Sequence, residues 1–149
     1  MPNPANNNIE PSQTLIARLT ASEGCKLTAY WDVDGFSIGY GHHGPEVVEG
    51  TTWTEAQAQA ALASDLALVG REVKALVNVP LTQGQFDALT DWTYELGSGR
   101  LQHSTLLKLL NAGDYRGAGQ QLLAWDMVAG KVNAGVKARR EADFALWAA

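Results

Sequence analysis

The amino-acid sequence predicts an α+β fold with a small β-hairpin lobe, one long helix and a helical lobe. Residues 27–41 alternate between aromatic or apolar and polar side chains around an Asp-Gly turn, which is typical of a hairpin. Residues 54–78 repeat apolar side chains at helical spacing, and several shorter segments after residue 80 do the same. The 149 residues suffice for one domain with a real hydrophobic core.

Residues 1–11 are rich in Asn and Pro, and we expect them to form a flexible N-terminal arm. Residues 12–149 are expected to form a single domain. Its first helix, over 12–22, begins after Ser12, whose hydroxyl can accept a hydrogen bond from the first helical turn. Gly24 is expected to end that helix.

The β lobe is predicted over residues 24–53. Its two strands, 27–32 and 36–41, are rich in aromatic and β-branched residues, and the dipeptide Asp34-Gly35 is a strong turn signal. Residues 44–53 contain two glycines and a proline, which predicts a loop. A short third strand is expected at 46–48.

The linking helix is predicted over 54–78, because Thr54 and Gln57 form a capping-box pattern and Pro80 follows its end. The helical lobe is expected to comprise about 80–149 together with the N-terminal helix 12–22. Its main part opens with a second capping box at Thr82 and Gln85. That helix is expected to reach Leu96, with Phe86, Leu89, Trp92 and Thr93 inward. A break is expected at 97–99. Ser104 is expected to cap a helix over 106–110, and Asp114 a helix that runs to about Trp125. A break at Gly130 and a last helix over 134–148 follow.

The composition is that of a soluble globular protein, with 46% hydrophobic residues. No apolar run approaches the ~20 residues that span a bilayer, so stable membrane insertion is not expected. The first residues lack the basic and apolar regions of a secretory signal. The single cysteine, Cys25, excludes an internal disulfide, which agrees with synthesis in a reducing compartment.

The net charge of −5 is unevenly distributed along the chain. Residues 1–99 carry 4 basic and 12 acidic side chains, whereas residues 100–149 carry 7 and 4. The basic end is a candidate surface for an anionic partner, although solvated helix faces explain the same pattern. A pI near 5.1 argues against a nucleic-acid binder.

Side chains suited to acid–base chemistry are concentrated around the hairpin. Glu23 lies at a helix end, where a glutamate is usually just solvated. Its apolar and aromatic neighbours would desolvate it and keep the carboxyl group protonated near neutral pH; they are Leu27, Tyr30, Trp31 and Tyr40. Hydrolysis of a glycosidic bond requires such a proton donor together with a second, ionised carboxylate.

Two aspartates are candidates for the second carboxylate. Asp34 directly precedes Gly35, so turn chemistry explains it better than catalysis. Asp32 lies on the strand side, where a purely structural role is harder to assign. Ser37, on the return strand, is a candidate to hold a water together with Asp32, or else a sheet-edge hydroxyl.

Metal binding is not expected. The segment from Asp32 to Ser37 is similar to the start of a calcium loop, but glycine falls at the fourth position instead of the sixth. His42 and His43 are adjacent on a predicted strand, so their side chains point to opposite faces. No metal or other cofactor is therefore predicted.

Several motifs in a fixed order resemble the phage-type lysozyme (endolysin, muramidase) family, in its lambdoid and T-even branch. The strongest is SEGCKLTAYWD followed by SIGYGHHG, and the resemblance covers most of the chain from about residue 14. The other matching segments are residues 85–89, 97–99, 104–107, 110–113, 125, 130–131 and 135–140.

This resemblance implies a two-lobed, lysozyme-like fold and cleavage of the β-1,4 bond between N-acetylmuramic acid and N-acetylglucosamine in peptidoglycan. The family pattern Glu-x8-Asp-x5-Thr places the general acid at Glu23, the second carboxylate at Asp32 and the third member at Ser37. The flanking residues expected to bind substrate are Tyr30, Tyr40 and His42.

The third position departs from the family pattern in two ways. Serine replaces threonine, and only four residues, not five, separate Asp32 from Ser37. Counting back from Ser37 at the family spacing reaches Trp31 instead. We expect the missing residue to lie in the turn, which leaves Asp32 in place.

The resemblance further implies an endolysin that lyses the bacterial host. It would be made in the host cytoplasm without a signal peptide and would act in the periplasm, as a monomer, after release by a holin. Peptidoglycan is the expected partner, with lipopolysaccharide as a further one through the basic C-terminal helix. Two alternatives stay open: a lytic transglycosylase, and a catalytically silent peptidoglycan-binding or phage structural module.

Overall fold

The structure, a computed structural model, describes residues 1–125, 127–128 and 131–149. The chain divides into two units, each with its own internal packing. The first, here the sheet unit, is Ser12–Leu68; the second, here the helical unit, comprises Met1–Pro11 and Val69–Ala149. In the part of the chain that is described, no helix is long and apolar enough to cross a bilayer.

The sheet unit begins with helix α1 (Gln13–Glu23). The helix itself was predicted, but it was expected to belong to the helical lobe. Ser12 Oγ accepts a hydrogen bond from the Leu15 backbone N–H at 3.1 Å, which caps the first turn. The helix ends at Gly24, whose φ of 70° suits glycine. Both helix boundaries predicted from the sequence are therefore confirmed.

Three antiparallel strands follow, in the order β1 (Lys26–Asp32), β2 (Gly35–Gly39) and β3 (His42–His43). The predicted hairpin is confirmed, but the third strand predicted at 46–48 is wrong. The chain turns at Tyr40 and Gly41, and the next two residues already pair with β2. Gly41 has a φ of 91°, a conformation that permits this tight turn and strains other residues.

The linking helix, α2 (Glu55–Leu76), has the predicted capping box. Gln57 N–H donates to Thr54 Oγ1 at 3.2 Å, and Thr54 N–H donates to Gln57 Oε1 at 2.8 Å. The helix ends two residues earlier than predicted. Asn111 explains the early end, because its side chain donates to the Leu76 carbonyl at 3.0 Å and accepts from the Asn78 N–H at 2.8 Å.

The remaining elements belong to the helical unit: α3 (Gln83–Leu96), α4 (Ser98–Gln102), α5 (Thr105–Asn111), α6 (Tyr115–Leu122), β4 (Met127–Val128), β5 (Lys131–Val132) and α7 (Ala134–Ala148). The capping box at Thr82 and the caps at Ser104 and Asp114 are confirmed. The break predicted at 97–99 is limited to Gly97, since Ser98 already begins α4. The break predicted at Gly130 lies outside the described residues.

The helical unit has an apolar core centred on α3. Phe86, Leu89 and Trp92 of this helix are fully buried, together with Leu101, Leu106 and Leu110 from the following helices. Helix α7 packs closely on α3 at Gly84, where a Cβ atom would overlap the carbonyl oxygen of Leu146. The α+β prediction is confirmed.

Residues 1–11 differ from the flexible arm predicted for them. Asn6 is fully buried, donates through Nδ2 to the Val79 carbonyl and accepts at Oδ1 from the Leu81 N–H, both at 2.9 Å. Lys74 Nζ binds the Ile9 carbonyl at 2.8 Å and the Glu10 carboxylate at 3.1 Å. A composition rich in Asn suggests disorder. Here, however, an Asn side chain forms hydrogen bonds with backbone groups that have no partner in a helix or strand.

Candidate active site

The register of the sheet brings four polar side chains to one face. Tyr30 of β1 pairs with Ser37 of β2, and Ser37 pairs with His43 of β3. Residues that pair directly across strands share a face, and so do residues two apart on one strand. Asp32 therefore lies on the same face as Tyr30, Ser37 and His43. We call this set the polar face.

Ser37 is the centre of the polar face and is only 1% exposed. Its Oγ lies 3.3 Å from His43 Nδ1, and Tyr30 lies opposite it on β1. The pKa of Tyr30 is raised, mainly by burial and next by the negative charge of Asp32. Glu23 adds a weaker effect in the same direction, and Ser37 lowers the pKa in part. Tyr30 is therefore a neutral phenol near neutral pH.

Asp32 is the last residue of β1 and pairs with Gly35. The hairpin loop consists only of Val33 and Asp34, so Asp34 lies in the turn, as its position before Gly35 predicts. Asp32 Oδ1 accepts a hydrogen bond from the Val33 N–H at 2.9 Å, which orients the carboxylate. The residue missing from the family spacing is thus accommodated by a tight loop.

Trp31, the residue reached by the family spacing, lies on the opposite face of the sheet. It pairs with Phe36, and the two rings meet edge to face with centroids 5.3 Å apart. Because Trp31 and Ser37 lie on different faces, the shorter loop leaves Asp32 as the carboxylate on the side of Ser37.

An open cavity of about 630 Å³ adjoins the polar face. Asp32, Ser37 and His43 line it together with the hairpin loop and the segment after β3, namely Val33, Asp34, Gly35, Phe36, Gly44, Pro45 and Val47. A carboxylate, a hydroxyl and an imidazole therefore border one solvent-accessible space. In the described residues, no group of three or more His, Cys, Asp or Glu side chains is placed to hold a metal ion.

Glu23 is the last residue of α1 and is exposed. The expectation that apolar neighbours bury it is wrong, because Leu27 is 42% and Trp31 66% exposed. Tyr40, the fourth expected neighbour, is 3% exposed and hydrogen-bonds the side chains of Cys25 and Gln59. A tyrosine buried to that extent presents no ring face to a sugar, which contradicts the prediction that Tyr40 binds substrate.

His42 also differs from its predicted role. It faces away from Ser37, with Nδ1 at 2.7 Å from Asp65 Oδ2 and Nε2 at 2.6 Å from Glu46 Oε1. Burial lowers the pKa of His42, but the hydrogen bonds and charges of Glu46 and Asp65 outweigh it, so the pKa is raised. Both ring nitrogens are engaged, which contradicts a direct contact with substrate.

The histidine on the polar face is His43, whereas His42 was the one expected from the sequence. The signal that identifies it is strand alternation combined with a two-residue turn at Tyr40 and Gly41. With that turn, the second histidine lies opposite Ser37 and the first points away. The strand predicted over 36–41 included Tyr40 and Gly41, so it left no turn that would place His43 opposite Ser37.

The two arginines of the basic C-terminal helix are turned toward carboxylates of the helical unit. Arg139 Nη2 lies 2.7 Å from Asp91 Oδ1, and Arg140 Nη2 lies 2.8 Å from Glu95 Oε2 and 3.0 Å from Asp143 Oδ2. Arg140 is 1% exposed. Among the basic side chains of residues 131–140, Lys131 and Lys137 are exposed, whereas Arg139 is half-buried.

Comparison with known proteins gives a consistent result. The phage lysozyme family matches residues 20–143. An SAR-endolysin of Bacteriophage PS119 is 38% identical over 128 residues, which cover 84% of this chain and 77% of that relative. An endolysin of Bacillus phage B103 is 37% identical over 139 residues, which cover 91% of this chain but only 53%, about half, of that relative.

Among solved structures, the muramidase domain of SpmX from Asticaccaulis excentricus has a TM-score of 0.86 and 31% identity, covering 95% of this chain and 99% of that one. The predicted lysozyme-like fold is therefore confirmed. The matched residues 20–143 include Glu23, Asp32 and Ser37. On these similarities, the chain belongs to the phage lysozyme family.

Proposed function

We propose that the chain is a peptidoglycan hydrolase that cleaves the β-1,4 bond between N-acetylmuramic acid and N-acetylglucosamine, and that it serves a phage as the endolysin that lyses the host cell. The observation that carries this proposal is the polar face, where Asp32 and Ser37 lie on the same side of the sheet and border one cavity. The names of the relatives, endolysin and muramidase, support the same activity.

In the proposed reaction, Glu23 is the general acid and gives its proton to the leaving glycosidic oxygen. Asp32 is the ionised partner that activates water or stabilises the positive charge developing on the sugar ring. Its Oδ1 is already bound by the Val33 N–H, so Oδ2 is the oxygen available for that role. Ser37 Oγ holds the water beside Asp32.

Tyr30 is the remaining candidate for a substrate contact among the flanking residues. It is half-buried on the polar face, next to Ser37. For lipopolysaccharide, support from the basic helix is reduced to Lys137, because Arg139 and Arg140 pair with carboxylates. Lys131 is exposed nearby in the sequence, on β5. Action on the cell wall in the periplasm is supported by relatives that carry the name endolysin.

Glu23→Gln tests this assignment. Removing the acidic proton should lower peptidoglycan hydrolysis at least about 100-fold, the usual scale of general acid catalysis. The urea unfolding midpoint should stay unchanged, since Glu23 is exposed. The measurement is the loss of turbidity of outer-membrane-permeabilised cells. Glu49→Gln, an exposed loop glutamate of the same unit, is the matched control and should keep full activity; full activity in Glu23→Gln would end the assignment.

Mass spectrometry of the released muropeptides separates this activity from its alternatives. A hydrolase releases fragments that end in a free reducing N-acetylmuramic acid. A lytic transglycosylase instead releases 1,6-anhydro ends, because no water is added. A silent binding module releases nothing, and either of these two results would contradict the proposed reaction.

A further inference from the structure

The hydroxyl of Ser37 has two neighbours across the sheet, one on each side. A serine hydroxyl can donate one hydrogen bond and accept two. Tyr30 lies opposite on β1 and His43 opposite on β3, so the three polar groups form a row across the three strands. The site of the proposed function therefore includes a histidine that the family pattern at Glu23, Asp32 and Ser37 does not contain.

A serine at position 37 is less restricted in its side-chain rotamer than a threonine, so neighbouring hydrogen bonds matter more for its orientation. The methyl group of threonine restricts χ1, whereas a serine hydroxyl rotates among three staggered positions. In this chain Ser37 stands where the family pattern has threonine. Hydrogen bonds from both neighbouring strands can hold the rotamer that a methyl group would otherwise select.

The directions of these hydrogen bonds follow from the chemistry of the partners. A neutral phenol carries one proton, and Tyr30 lies opposite Ser37 on β1, so its O–H can donate to Ser37 Oγ when the serine proton points toward His43. A neutral imidazole offers an acceptor nitrogen, and His43 Nδ1 lies 3.3 Å from the same oxygen. Ser37 then donates its proton to His43 and keeps one lone pair for a water in the cavity.

We propose that His43 is a positioning residue: its Nδ1 accepts the Ser37 hydroxyl proton and so presents Ser37 to the attacking water as a hydrogen-bond acceptor. The water then donates one proton toward Ser37 and loses the other to Asp32 as its oxygen bonds to the anomeric carbon. The proton of Glu23 goes to the leaving oxygen, which completes the balance. This inference rests on the proposed function, because it assigns a role within the same site.

The strand around His43 is held in the orientation that this role requires. His42, its neighbour, is bound by Asp65 and Glu46 on the opposite face of the sheet. Since alternate residues of a strand point to opposite faces, holding His42 there keeps His43 facing Ser37. His43 is itself exposed and borders the cavity, so its replacement should not disturb the core.

The test compares His43→Leu with His43→Asn, in the wild-type chain and in Ser37→Ala. The kinetic probe is a soluble oligosaccharide of alternating N-acetylglucosamine and N-acetylmuramic acid. His43→Leu should lower kcat by roughly five- to tenfold, the value of about one hydrogen bond in the transition state, and leave KM within about twofold. His43→Asn should recover most of kcat, because its Oδ1 can accept near the position of Nδ1. In the Ser37→Ala background, His43→Leu should have no further effect.

His103→Leu is the matched control. His103 is an exposed histidine at the end of α4, in the helical unit, and its replacement should leave kcat and KM unchanged. Three results would each overturn the positioning role alone. The first is an unchanged kcat in His43→Leu, and the second is a loss of kcat in His43→Asn as large as that in His43→Leu. The third is a loss of kcat on adding His43→Leu to Ser37→Ala as large as in the wild-type chain. A wild-type chain that releases no reducing muropeptides, or a Ser37→Ala variant with full activity, would instead overturn the proposed site and this inference with it.

Discussion

Asp32 and Asp34 are two residues apart and both border the same cavity, yet the backbone gives them different surroundings. Asp32 ends β1, pairs with Gly35 and lies on the face of Ser37. Asp34 belongs to the two-residue loop between the strands. At the scale of the residue, position on a strand or in a loop therefore decides which carboxylate can share a water with Ser37.

The two aspartates form a matched pair of substitutions. Asp32→Asn should lower peptidoglycan hydrolysis by roughly 100-fold or more, because the neutral amide neither accepts the proton of water nor stabilises a cationic sugar ring. Asp34→Asn should stay within about twofold, since asparagine also suits turns. Muropeptide release at equal enzyme concentration measures both. A larger loss in Asp34→Asn would contradict the assignment of Asp32.

At the scale of the element, β3 and α2 are joined by a side-chain bridge within the sheet unit. His42 of β3 contacts Asp65 of α2 and Glu46 of the loop between them. The ring of Trp53 lies beside His42, with centroids 5.4 Å apart. A strand of only two residues has few backbone hydrogen bonds of its own, so this bridge stabilises β3 from the side.

The bridge predicts a stability that depends on pH. The folded-state pKa of His42 is raised above its ordinary value of 6.5, because the hydrogen bonds and charges of its carboxylate partners outweigh the opposing effect of burial. Its contribution is therefore complete below the unfolded-state pKa and is lost as the pH rises through the folded-state pKa. Urea unfolding of wild type and His42→Gln should differ by roughly 1 kcal/mol more at about pH 6 than at about pH 9.

His103→Gln provides the control for this measurement, because His103 is an exposed histidine of the helical unit. Its unfolding free energy should differ from wild type by the same small amount at both pH values. A difference between wild type and His42→Gln that does not change with pH would show that the raised pKa is absent.

At the scale of the whole molecule, the helical unit is assembled from segments far apart in the chain. Residues 1–11 belong with residues 69–149 rather than with the helix that directly follows them. Asn6 makes this connection, because its amide completes the backbone hydrogen bonds of Val79 and Leu81. Those two residues lie in the segment between α2 and α3, where regular secondary structure supplies no partners.

Asn6→Ala should therefore destabilise the protein by about 2 kcal/mol, since it leaves a buried N–H and a carbonyl without their partner. The shift in free energy of unfolding in urea measures this effect. Asn8→Ala, at an exposed asparagine of the same segment, should change it by less than about 0.5 kcal/mol. Equal stability of the two variants would show that residues 1–11 contribute nothing to the packing of the helical unit.

Local chemistry explains what could be predicted from the sequence. Ser12, Thr82 and Ser104 cap helices as expected, because an N-cap hydroxyl acts on a backbone group only three residues away. The helix end at Leu76 could not be predicted in the same way. It depends on Asn111, a residue 35 positions later in the chain.

The sequence by itself determined the fold class, the hairpin, the longer helices and the family pattern on Glu23, Asp32 and Ser37. These depend on residue type and on spacing along the chain, which the sequence contains in full. Only the tertiary structure decided which histidine faces Ser37, since a one-residue change in strand register exchanges the two faces. It likewise decided that Tyr40 is buried, because burial depends on what packs against a residue from elsewhere in the fold.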